Sequence, residues 1–267
     1  MEQKVCIITG ANSVIGIGAA TAKLLGKAGV KAVYLCDVVG DNLQMTAENL
    51  KREYPVTDFI AYKPFDAASE EAVRRVVADA IKKYGRLDFF FANAGIIGPV
   101  SAFTDIGDKE FMNVLRVNTL SVFLAIKYAA TAMKEKGIGG SIVATASVAG
   151  TKSGAGTTPY SASKAAVINL VQTTAWQLAG TGIRVNAICP GLIETGMTKL
   201  TYDAARQRGT VSKIGQLNPT RRGGRPEEVA EVVTFLASDN ASYVNGQFWL
   251  VDGGLSASLP VVPGKMH

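Results

Sequence analysis

Tyr160 and Lys164, in the stretch PYSASK, stand four residues apart and share one face of a helix. A phenol titrates near pH 10 and is a poor base at neutrality. A lysine cation beside it favours the phenolate and lowers that value. The pair can therefore move a proton without histidine. The spacing alone also fits a solvated helix face, so context must decide. Ser147 closes the run GSIVATAS, 13 residues before Tyr160. A hydroxyl there can bind the oxygen that the tyrosine protonates. The only histidine is His267, the last residue. Ser-His-Asp catalysis, Cys-His catalysis and histidine-ligated zinc thus lack a base or ligand. Acid–base chemistry near pH 7 falls to a carboxylate, lysine, tyrosine or cysteine.

A second constellation opens the chain. TGANSVIGIG, residues 9–18, follows the apolar run Val5-Cys6-Ile7-Ile8 and enters the helix-forming AATAKLLGKAG. A strand, a glycine loop and a helix N-terminus form a pyrophosphate site. The glycines fall at 10, 16 and 18, off the common G-x-G-x-x-G spacing. Asp37 ends the next apolar run, 27 residues after Gly10. A carboxylate there can accept hydrogen bonds from an adenosine ribose. Taken alone it better suits a helix cap or a solvated loop carboxylate; beside the glycine loop, the ribose reading is favoured.

These residues need a frame, and the chain supplies a repeating one. Strand-like runs at 5–9, 32–37, 58–66, 87–95, 140–147, 182–191 and 246–254 alternate with helical patterns. The helices are expected at about 18–28, over DNLQMTAENLKREY, over SEEAVRRVVADAIKKYG, near 108–136, from Pro159, and at 226–238 with proline in first position. Several strands are apolar on both faces, as strands between two helix layers must be. The expected fold is α/β: one domain over 1–267, a doubly wound parallel sheet of about seven strands with helices on both faces. Its core is expected over about 4–254, with a short tail at 255–267. Ligands bind such sheets beyond the C-terminal strand ends, where the residues above fall.

Composition narrows the function classes. Of 267 residues 48% are hydrophobic and 19% charged, which suits a well-buried chain. The net charge of +6 is spread out except near 199–225, so nucleic acid is not an expected partner. Cys6, Cys36 and Cys189 sit singly in strand-like runs, as buried thiols of a reducing compartment do. No uncharged apolar run approaches a membrane span. The first residues lack a signal-peptide core, and PGKMH is no retention signal. A cytoplasmic protein without a membrane partner is the expectation.

Together the glycine loop, Asp37, Ser147 and Tyr160/Lys164 resemble the short-chain dehydrogenase/reductase family, over roughly residues 4 to 254. NAG at 93–95 is similar to that family's motif after the fourth strand, with Ala92 replacing its usual first asparagine. VNTLSVF matches the segment carrying a fourth catalytic residue, here Asn118. ATASVAG matches the serine motif, with Ala144 and Ala146 where polar residues are common. The resemblance implies a Rossmann-like fold. It implies catalytic roles for Asn118, Ser147, Tyr160 and Lys164, with Asn118 positioning a water that relays protons to Lys164. It implies nicotinamide contacts at Pro190, Ile193 and Thr195 in CPGLIET, an adenine edge at Asp66 and Ala67, and cofactor-side places for Asn93 and Gly95. The family's loop reads T-G-x-x-x-G-x-G. Here Gly10, Gly16 and Gly18 fill its glycine places if the loop is two residues longer; otherwise Val14 occupies one. The first alignment is preferred, because a valine there blocks backbone approach to the pyrophosphate. Ile17 and Ser13 then join the cofactor contacts, although Asn12, Ser13 and Val14 all remain open for the ribose.

The expected function is an NAD(H)-dependent oxidoreductase interconverting a secondary alcohol and a ketone. No metal is expected. A reductase of C=C or C=N bonds on the same fold, or a non-catalytic nucleotide-sensing protein, are the alternatives. A loop at about 195–222 is expected to cover the substrate. It carries Lys199, Arg206, Arg208, Lys213, Arg221 and Arg222, which suit a solvated lid better than an anion site. TKSGAGTTP before Tyr160 is small enough to leave room for a bulky apolar substrate. Small residues at 129, 130, 132, 165, 166 and 175 point to helix pairing in a homodimer or homotetramer.

Overall fold

Short runs of β-branched and aromatic residues form the strands. They are β1 (Val5–Thr9), β2 (Ala32–Cys36), β3 (Asp58–Tyr62), β4 (Phe89–Ala92), β5 (Gly140–Thr145), β6 (Ile183–Pro190) and β7 (Phe248–Val251). In the computed structural model, which describes residues 1–259, they form one parallel sheet in the order β3-β2-β1-β4-β5-β6-β7. The end of the expected tail, with His267, lies outside the described residues. Successive residues of a strand point to opposite faces, and β1 shows both. Val5 and Ile7 pack with α3 (Glu70–Tyr84), α5 (Ser121–Glu135) and α6 (Thr158–Gln177). Cys6 and Ile8 pack with α1 (Ile17–Lys27), α2 (Leu43–Glu53) and α8 (Pro226–Ala237). The sheet is thus doubly wound, and its order reverses between β1 and β4, where a crevice opens at the C-terminal strand ends.

The helix ends follow local chemistry. Ser69 caps α3 by accepting from the Ala72 N–H. Gly85 ends it at φ 76°, a conformation that glycine reaches without strain. Pro226 occupies the first position of α8.

Three expectations change. The helix near 108–136 is interrupted: α4 (Asp108–Leu115) runs through a π-helical turn, Arg116–Leu120, into α5. The segment at 195–222 is not all loop, since it holds α7 (Lys199–Gln207) and a short 3-10 turn. Four of the six small residues expected to pair helices, Ala129, Ala130, Ala132 and Ala175, are buried in the chain's own core. Among the described residues no helix is long and apolar enough to cross a membrane.

Candidate active site

A cavity of about 300 Å³ lies at the C-terminal edge of the sheet. Gly10, Ser13, Gly16, Ile17 and Asp37 line it from the glycine loop and the end of β2. Asn93, Gly95, Ser147, Tyr160 and Lys164 line it too, as do Pro190, Ile193 and Thr195 at and after the end of β6. Gly18, Asp66, Ala67 and Asn118 are not among its lining. The site residues missed from the sequence include Thr145, Met197 and Thr198, which also face it. Thr145 was open to the strand-end rule; the other two belong to the segment read as a loop.

The first turn explains its three glycines. Gly10 has φ 69°, and a Cβ there would come 2.9 Å from Ala94 Cα. A Cβ on Gly18 would come 2.7 Å from the Gly10 oxygen, so Gly18 seats α1 beneath the loop. Gly16 precedes α1 and donates its N–H to Ser13 O at 2.8 Å. Val14 and Ile15 project from the loop tip, 56% and 48% exposed. The first turn of α1 leaves N–H groups without helical partners, and Gly16 and Ile17 stand on the cavity wall. Asn12 turns away: its Oδ1 accepts from Asn42 N at 2.9 Å. Its backbone N–H donates to Asp37 Oδ2 at 2.9 Å, which fixes that carboxylate at the cavity edge.

Asn93 spends its side chain on the frame. Its Nδ2 donates to Thr9 O and Gly10 O, both at 3.1 Å, and its Oδ1 accepts from Thr145 Oγ1 at 2.9 Å. Asn118 is fully buried in the π-helical turn. Its Oδ1 accepts from Ile96 N at 2.8 Å, and its Nδ2 donates to Ile96 O and Ser163 Oγ. The Asn118 side chain is thus spent on protein partners. Gly95 packs against it: a Cβ there would lie 3.2 Å from Asn118 Oδ1 and 3.4 Å from Lys164 Nζ. Asp66 is likewise engaged, by Ala68 N at 2.9 Å and Arg116 Nη1 at 2.8 Å. Partial burial opposes its charge, but Arg116 and Ala68 hold its carboxyl below the ordinary value.

Tyr160 lies in the first turn of α6 and Lys164 one turn on, with Nζ 5.6 Å from the phenol ring centre. Lys164 is buried and donates to Thr145 O at 2.7 Å. Burial pushes its amine down to about 8. The phenol moves opposite to expectation. Burial pushes Tyr160 up, and the neighbouring Ser147 hydroxyl recovers only part of the shift. Desolvation of the phenolate outweighs a lysine whose own charge is disfavoured. Ser147 is buried, and its Oγ accepts from Ala149 N at 3.1 Å. The small segment before Tyr160 is not all open space, because a Cβ on Gly156 would come 2.8 Å from Tyr160 Cδ1. Several lid cations are spent within the chain: Lys199 pairs with Asp203, Arg206 with Glu194, and Arg222 with Glu228.

A family model described as enoyl-(acyl carrier protein) reductase matches residues 10–256. The chain is 39% identical over 259 residues to a 3-oxoacyl-(acyl-carrier-protein) reductase of Thermotoga maritima, covering 96% of this chain and 98% of that one. It is 35% identical over 258 residues to the levodione reductase of Leifsonia aquatica, covering 96% and 95%. The crystal structure of levodione reductase superposes with a TM-score of 0.88 at 35% identity, covering 96% and 98%. A crystal structure of an actinorhodin polyketide ketoreductase with NADPH gives 0.86 at 33%, covering 96% and 98%.

Proposed function

The chain belongs to the short-chain dehydrogenase/reductase family of oxidoreductases, and we propose that it interconverts a secondary alcohol and a ketone with NAD(H), using Tyr160 as acid–base. The observation that carries this is the meeting of Ser147, Tyr160 and Lys164 in a cavity that the glycine loop and Asp37 also line. The relatives named above are reductases, three of them named for oxo compounds.

The residues present fit a nicotinamide dinucleotide. Gly10 and Gly18 keep the loop free of side chains where a Cβ would strike backbone, and α1 offers its N-terminus to a pyrophosphate. Asp37 would hold the adenosine ribose, Lys164 the nicotinamide ribose, and Pro190, Ile193 and Thr195 the nicotinamide. The bound cofactor supplies or accepts the hydride. The chain supplies orientation and the proton. Burial keeps Tyr160 as a neutral phenol, which suits proton donation to a ketone oxygen. Ser147 Oγ binds that same oxygen. As the phenol O–H breaks, Lys164 stabilises the phenolate left behind. In the reverse direction the phenolate takes the alcohol proton.

Asp37 favours NAD(H). A 2′-phosphate would set about two negative charges against a carboxylate held by Asn12 N–H. Like-charge contact costs several kcal/mol at interfaces, so we expect a preference of about 100-fold in kcat/KM. Steady-state kinetics with NADH and NADPH test this. Asp37→Ala should narrow the gap, and equal or better use of NADPH by the wild type would refute the assignment.

A further inference from the structure

We propose that Lys63 is a second specificity-determining residue of the dinucleotide site, meeting a 2′-phosphate and so limiting the preference that Asp37 sets. The proposal rests on the reading that the Asp37 edge holds the adenosine ribose. Asp37 and Lys63 are 26 positions apart in sequence, and the sheet makes them neighbours. β2 and β3 pair in parallel, with Cys36 opposite Tyr62 in the last rung. Asp37 and Lys63 each follow that rung directly in the chain. The Phe65 N–H donates to Asp37 O at 2.9 Å, which keeps the two chain ends side by side beyond the ladder.

The lysine then folds back over the turn that follows Asp37. Its Nζ donates to Gly40 O at 2.9 Å, three residues past Asp37. Its stem lies so close over Gly40 that a Cβ there would collide with Lys63 Cδ. Among the described residues it forms no ion pair, in contrast to the lid cations paired with Asp203, Glu194 and Glu228. Its one side-chain hydrogen bond goes to a neutral carbonyl, which leaves donors of the ammonium for an anion. The four-carbon stem lets the charge move by several ångströms without moving the backbone.

The two side chains differ in freedom. Asp37 is held by the N–H groups of Asn12 and Val39, at 2.9 and 3.3 Å. Lys63 is exposed. The other charged group in this turn is Asp41, itself exposed. A 2′-phosphate entering here meets a fixed carboxylate and a mobile ammonium. NAD(H), lacking that phosphate, leaves Lys63 on Gly40. The lysine therefore acts on NADP(H) alone, through a charge contact that salt screens.

The test is the affinity of the full-length chain for NADPH and NADH, read by fluorescence of the reduced nicotinamide at 50 and 200 mM salt. Lys63→Gln should weaken NADPH about fivefold, the size of an exposed ion pair, and NADH less than twofold. It should also flatten the salt dependence of NADPH binding, and Lys63→Arg should restore both. Adenosine 2′,5′-bisphosphate against 5′-AMP should show the same selective loss. Equal weakening of NADH and NADPH would mean that Lys63 only clamps the 37–40 turn, and would overturn the proposal. An unchanged ratio, or no NADPH binding by the wild type at millimolar concentration, would overturn it too. A wild type that favours NADPH sinks the Asp37 preference instead; selective loss in Lys63→Gln would still support Lys63.

Discussion

At the scale of single residues, the environment of Tyr160 and Lys164 makes two claims. Replacing Tyr160 by Phe removes one hydroxyl that acts on substrate. Turnover should fall by about 10²–10⁴, while NADH affinity stays within a few-fold by titration. A variant that keeps a tenth of wild-type kcat would show that Tyr160 is not the proton donor. The second claim concerns pH. The Lys164 value is depressed to about 8, so its charge is complete below pH 7 and is lost as pH rises through 8. Ketone reduction should therefore be level below about pH 7 and decline above 8. A pH–rate profile flat to pH 9.5 would contradict this. The meeting of Ser147, Tyr160 and Lys164 in one cavity was legible because helix spacing and strand ends are local features. The direction of the Tyr160 shift was not, because desolvation is set by the tertiary surroundings. Lys63 was not legible for a similar reason: only the pairing of β2 with β3 brings its strand end beside that of Asp37.

At the scale of elements, the glycine loop and the turn before α5 hold the site together. Gly18→Ala would drive a Cβ into the Gly10 carbonyl, 2.7 Å away. We expect it to cost about 1–3 kcal/mol of stability by urea unfolding and to weaken NADH binding. Wild-type values in both assays would show that the loop yields and that Gly18 does not seat α1. The alternation of strands and helices was readable, since runs such as VCII and AVYLC are apolar at every position. The π-helical turn at Arg116–Leu120 was not, because an extra residue in one turn barely disturbs the apolar pattern of a long helix. α7 was missed because it buries only Tyr202, too little for a visible stripe.

At the scale of the whole molecule, large apolar side chains remain uncovered on two faces. Met112, Leu120, Phe123 and Trp176 are exposed along α4, the turn after it, α5 and α6, and Phe235 and Leu250 on α8 and β7. Exposed apolar groups of this size mark association surfaces, so we expect a symmetric dimer or tetramer. Four of the six alanines that suggested pairing from the sequence fill the chain's own core instead, while Ala165 is exposed on α6. A monomer by light scattering at micromolar concentration would refute the assembly. The reaction itself is tested most directly by following NADH oxidation with matched panels of ketones, cyclic imines and enones. The account predicts turnover of ketones, with the imines and the enone C=C bonds left unreduced. Reduction of imines or of enone C=C bonds without any ketone turnover, or NADH binding with no turnover at all, would contradict it.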